Sequence, residues 1–163
     1  LYTSEKYKPV AWALLKRIGK DTRAVLRTTK GPVTLEFYPA EAPGSVANFI
    51  NLAQTGYFDN KVFHRVVPNF VAQGGCPRGD GYGSLDYTIR SEFSGLNYDD
   101  QGWIGMASAG KDTEGTQFFI THSPTPHLDG RYTIFARIVD GMENVHHLNQ
   151  GDKIKNIIFN AFL

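Results

Sequence analysis

The stretch FHRVVPNFVAQGG, residues 63–75, constrains the fold of this chain more than any other. Two short apolar runs are broken at Pro68 and Asn69 and stopped by the glycine pair 74–75. That is the pattern of two strands with a tight connection. Arg65 stands among Phe63, Val66 and Val67. A guanidinium on an apolar surface must keep its head in water or find acceptors, because an unpaired buried charge is very costly. Gln73 is the next polar side chain after Asn69 that could share that surface. An arginine and an amide beside Phe63 and Phe70 compose a greasy patch with two polar groups, as in a small-ligand site. On these residues alone, an arginine snorkelling from a strand to solvent is the plainer alternative.

The flanking chain narrows the architecture. Residues 9–19 predict a short amphipathic helix, with Pro9 in its first turn, Leu14, Leu15 and Ile18 on one stripe, and Gly19 as the stop. Residues 23–28 and 32–38 alternate around a glycine-containing turn and predict a hairpin with Val33, Leu35 and Phe37 on one face. Residues 45–56 carry Val46, Phe49, Ile50 and Ala53 at helical spacing, with Ser45 as the expected N-cap and Gly56 as the end. Further strands are expected over 103–107, 117–121, 132–139 and 154–159, with a short helix over 142–148. No crossover helices alternate with these strands, so a parallel sheet is disfavoured. The pattern predicts a mainly β fold, a closed antiparallel barrel with helices plugging its ends.

Length and composition exclude several classes. The chain has 163 residues, enough for one domain with one core. A net charge of +1 gives no electrostatic footprint for nucleic acid or an anionic membrane. No apolar run approaches the roughly 20 residues of a membrane helix. The single cysteine, Cys76, cannot form an intramolecular disulfide and leaves the compartment undetermined.

Most catalytic chemistries find no support. His146 and His147 are helical neighbours that point apart, and no Cys/His spacing suggests a metal site. The serine and histidine of Thr121-His122-Ser123 do not amount to a triad. The glycine-rich run over 76–84 lacks the following helix a phosphate loop requires, and reads as a mobile surface loop. What is left is an arginine, amides, backbone groups and an apolar pocket. That set suits a reaction with no proton transfer, no covalent bond breaking and no cofactor.

The stretch 63–75 resembles the signature of the cyclophilins, peptidyl-prolyl cis-trans isomerases. GMASAG at 105–110, TQFFI at 116–120 and LDG at 128–130 follow in the family's order, and the likeness covers roughly residues 21–159. The resemblance implies an eight-stranded antiparallel barrel capped by two α-helices, with a peptide groove on its outer surface. It implies Arg65 and Gln73 as catalytic residues. Phe70, Val71, Phe119 and Leu128 would line a proline pocket with Tyr132 beside them, and the main chain of Ser108, between Ala107 and Ala109, would pair with the peptide. Gln117 would support that wall.

Three positions depart from the family's common pattern: Cys76 in place of an acid, His127 in place of tryptophan, and Tyr132 in place of histidine. They imply altered substrate preference and weak cyclosporin binding. The expected partners are proline-containing peptides or unfolded proteins, with no nucleic acid and no membrane, and the protein is expected to be a monomer. Residues 1–20 are expected to form an N-terminal helical extension, the end of a preceding region, dispensable to an isomerase domain over 21–163. The alternative function is a proline-binding module of a larger protein in which catalysis is incidental.

Overall fold

A computed structural model describes residues 7–160. In chain order its elements are α1 (Trp12–Leu15), β1 (Arg23–Thr28), β2 (Gly31–Phe37), α2 (Pro43–Gln54), β3 (Arg65–Val67) and β4 (Val71–Gly74). They continue with β5 (Trp103–Met106), β6 (Phe118–Thr121), a 3-10 turn (Pro126–Leu128), β7 (Ile134–Asp140), α3 (Met142–His146) and β8 (Ile154–Phe159). The eight strands form one antiparallel sheet in the order β3-β4-β6-β5-β7-β2-β1-β8.

The sheet is curled but open, which corrects the expected closed barrel. β3 and β8 are both edges, and among the described residues the gap is spanned by an isolated bridge between Val62 and Lys153 and a few single backbone hydrogen bonds, with no ladder. The reason is local. Residues 60–63 exchange single backbone bonds with 151–154, such as Phe63 N–H to Asp152 O at 2.8 Å, and the chain turns away before a ladder can form.

Alternation along the strands builds two apolar layers. Leu26, Val33, Leu35, Ala72, Ile104, Phe118, Ile120 and Phe135 face the concave side. There Phe49 of α2 meets Phe58 at 4.9 Å, Phe135 at 5.3 Å and Phe118 at 5.7 Å between ring centroids. Their chain neighbours Val71, Trp103, Phe119 and Ile134 face the opposite side, in a second cluster with Tyr98 and Leu128. The Phe118-Phe119 pair thus supplies one ring to the core and one to the outer face.

Two helix expectations change. α2 begins at Pro43, and Ser45 is buried instead of capping it. The Glu92 carboxylate does that work, accepting from the N–H groups of Gly44 at 2.9 Å and Ser45 at 2.8 Å, where an anion also complements the helix dipole. Residues 9–19 hold only four helical residues, because the preceding chain is extended: Tyr7 bridges to Thr88, and Lys8 N–H bonds Thr88 O. Turn bonds keep the stripe nonetheless, and Leu14, Leu15 and Ile18 rest half-buried against the main core. A protein beginning at Lys20 is therefore expected to fold, but with stability lowered by about 2–4 kcal/mol from the lost apolar contact. Denaturant melts of the two lengths measure it, and identical midpoints would show that the stripe contributes nothing.

Candidate active site

The strand register places the candidate residues in one row. Arg65 on β3 opposes Gln73 on β4, Gln73 opposes Phe119 on β6, and Phe119 opposes Gly105 on β5. All four lie on the outer face. Arg65 is exposed, and its Nη1 donates to Gln73 Oε1 at 3.5 Å, a long bond that leaves most of the guanidinium free. Gln73 Nε2 donates to Gln117 Oε1 at 3.1 Å, and Gln117 Nε2 in turn donates to Gly81 O at 2.9 Å. This amide chain fixes which atom of Gln73 faces the arginine.

The pocket beside that row holds about 220 Å³. Phe119 and Val71 rise from the sheet, while Leu128 comes from the 3-10 turn and Tyr132 from the loop before β7. Tyr132 meets Phe119 edge-on at 5.8 Å. Phe70 closes one side, 5.9 Å from the guanidinium carbon of Arg65. Its turn is fastened to the end of β6: His122 N–H donates to Phe70 O at 2.8 Å, and Ser123 Oγ donates to Asn69 O at 2.6 Å. Ala107 and Ser108 complete the wall.

Gly105 permits this arrangement. A Cβ there would collide with Tyr98 Oη and the Phe119 ring. Tyr98 lies beneath and donates to Tyr132 O at 3.1 Å, and burial pushes its phenol pKa far up, so it stays a neutral donor. Burial also pushes the His64 pKa down, so Arg65 is the lasting positive charge on its strand at neutral pH.

Nine sequence-predicted residues line this pocket: Arg65, Phe70, Val71, Gln73, Ala107, Ser108, Phe119, Leu128 and Tyr132. Ala109 and Gln117 line an adjoining cavity of about 380 Å³ that shares Gln73, Ala107 and Ser108. His127 lines neither; it stacks on Phe70 at 5.6 Å and is exposed at the rim.

Sequence reasoning missed the second cavity's other wall, made by Gly81, Tyr82, Gly83 and Tyr87. The run over 76–84 is no loose loop. Cys76 is fully buried, and its Sγ accepts from Gly83 N–H at 3.3 Å. Burial raises that thiol's pKa, but the surrounding backbone N–H donors of the loop outweigh it, and the net shift is downward. The cysteine in the glycine run was the available signal.

The family model described as cyclophilin type peptidyl-prolyl cis-trans isomerase matches residues 23–159. This chain belongs to the cyclophilins. It is 48% identical over 126 residues to peptidyl-prolyl cis-trans isomerase B of Bacillus subtilis, covering 77% of this chain and 88% of that one. A Helicobacter pylori peptidyl-prolyl cis-trans isomerase is 40% identical over 151 residues, 91% of this chain and 93% of the other. A crystal structure of a cyclophilin type isomerase from Cryptosporidium parvum superposes with a TM-score of 0.81 at 31% identity, covering 87% of this chain and 99% of that chain. A second crystal structure of that protein, obtained in the presence of the dipeptide Ala-Pro, gives a TM-score of 0.80 at 31% identity, over 86% and 99% of the two chains. As a cyclophilin, the chain is a peptidyl-prolyl isomerase, a rotamase, and its relatives include bacterial ones.

Proposed function

We propose that this cyclophilin rotates X–Pro bonds in unfolded or flexible polypeptides held across the outer groove, with Arg65 as the transition-state donor. The observation that carries the reading is the row Arg65–Gln73–Phe119 beside an apolar pocket of about 220 Å³. An X–Pro bond is held planar by resonance with a barrier of about 18–20 kcal/mol, so uncatalysed exchange is slow. In the twisted state the resonance is lost, and the prolyl nitrogen becomes pyramidal and gains a lone pair. A guanidinium donating to that nitrogen stabilises the twisted state more than either planar one, which is what lowers the barrier.

The other residues hold the peptide. Phe70, Val71, Phe119, Leu128 and Tyr132 clamp the prolyl ring, while Gln73 bonds the substrate backbone. The main chain of Ala107, Ser108 and Ala109 pairs with the residues before the proline, and Gln117 orients Gln73. One flank is fixed and the other turns. Exchange spectroscopy on a short X–Pro peptide with catalytic amounts of the protein tests this. Cross-peaks between cis and trans signals are expected, and peptide binding without accelerated exchange would leave only a proline-binding module.

Residues 21–163 form the isomerase unit in this reading, residues 1–20 are an extension of it, and the protein acts as a monomer. Cyclosporin A is expected to bind weakly, because an exposed imidazole at His127 offers less apolar area than an indole and no fixed donor at the rim. His127→Trp is expected to raise affinity by about 2 kcal/mol, the scale of one hot-spot anchor. Calorimetry on both proteins decides it, and equal affinities would remove His127 from the account.

A further inference from the structure

Behind the groove, two histidines from different elements meet. His122 follows β6, is only 6% exposed, and its Nε2 is buried with no hydrogen-bond partner. With the ring proton on Nδ1, the lone pair lies on this unpartnered Nε2. His146, in the last turn of α3, is exposed and places Nε2 2.9 Å from Gln101 Oε1. An amide oxygen only accepts, so this Nε2 carries the proton and the lone pair lies on Nδ1. The ring centroids are 5.4 Å apart at 43°.

From this geometry we propose that His122 and His146 form a two-histidine site for a divalent transition-metal ion of the zinc, nickel and copper class. Two imidazoles at about 2.0–2.1 Å from one tetrahedral ion place their ring centres about 5–6 Å apart, which matches the observed spacing. The second nitrogen of His146 is held by a protein oxygen, Gln101 Oε1, the arrangement that orients metal-binding histidines. A buried, unpartnered nitrogen is costly, and a bound ion removes that cost. Among the described residues no group of three or more His, Cys, Asp and Glu side chains could hold an ion. Water completes the shell, and binding is exchangeable. Imidazole ligands without carboxylates disfavour magnesium and calcium. The ion would tie α3 to the turn bearing Phe70, because His122 already holds Phe70 O through its backbone N–H.

The test is calorimetric titration of zinc chloride into untagged protein at pH 7.5, with amide chemical shifts recorded alongside. One-to-one saturation with a dissociation constant below about 100 µM is expected, with shifts centred on residues 122 and 142–147. His146→Ala, at an exposed position, should weaken binding by at least about tenfold, while His146→Cys, which supplies a thiolate, should retain it. His147→Ala on the neighbouring position should change little. Absence of saturation below about 1 mM, or His146→Ala binding zinc as tightly as the parent, would overturn the site. The second outcome would place the zinc elsewhere, for example at His64.

Discussion

Replacing Arg65 by alanine is expected to lower kcat/KM for an X–Pro peptide by about 10²–10³, the usual loss for one transition-state donor. Ground-state affinity should fall far less, because in the proposed binding mode the pocket walls and the Ser108 main chain still hold the peptide. The fold should be untouched: Arg65 is exposed, and among the described residues its side-chain hydrogen bond is to Gln73, at 3.5 Å. Arg65→Lys should recover only part of the rate, since a single ammonium lacks the planar fork that reaches two acceptors at once. Exchange spectroscopy gives rate and affinity from one sample. An alanine variant as fast as the parent would end the assignment of Arg65 and the mechanism with it.

Gly105→Ala is the second large effect. The added methyl would overlap Tyr98 Oη and the Phe119 ring, so both must move. Overpacking of this kind costs about 1–3 kcal/mol of stability. The displaced ring is also the pocket floor, and X–Pro peptide affinity should drop by about tenfold or more, as for loss of an aromatic anchor. Gly95→Ala is the control, because a Cβ there meets nothing within 4 Å. Thermal melts and peptide titrations of the two variants separate the outcomes. Parent-like behaviour of Gly105→Ala would mean that the floor can yield without consequence.

The parts legible in the sequence are those with short-range causes. The strand expected over 154–159 runs over those residues, and the hairpin of β1 and β2 turns at Thr29 and Lys30, where Thr28 Oγ1 donates to Gly31 O at 2.7 Å. The strand expected from Tyr132 begins only at Ile134, because Tyr132 turns out to meet Phe119. What could not be read comes from distant chain. Glu92 caps α2 from 47 and 48 residues away, so the nearby Ser45 misled. The helix over 9–19 shrank because Thr88 holds the chain before it extended. Closure of the barrel depended on whether residues near 62 and 153 would extend their pairing, which neither segment specifies alone. At the site, residue types showed what the pocket contains, but the division between two adjoining cavities follows from the folded Cys76 loop.

The open seam has a consequence for how the molecule breathes. Arg65 rides on a three-residue edge strand whose ladder runs to β4 alone. Its other flank is held by scattered bonds and by the turn clasped through His122 and Ser123. A segment with so few partners detaches at a lower free energy than the strands around Phe49 and Phe118, and its amides exchange with solvent ahead of global unfolding. On the proposed mechanism the guanidinium can therefore leave its working position while the rest of the domain remains native. Loss of turnover on warming or in mild denaturant would then precede the melting of the core, and would reverse on cooling without refolding of the whole chain.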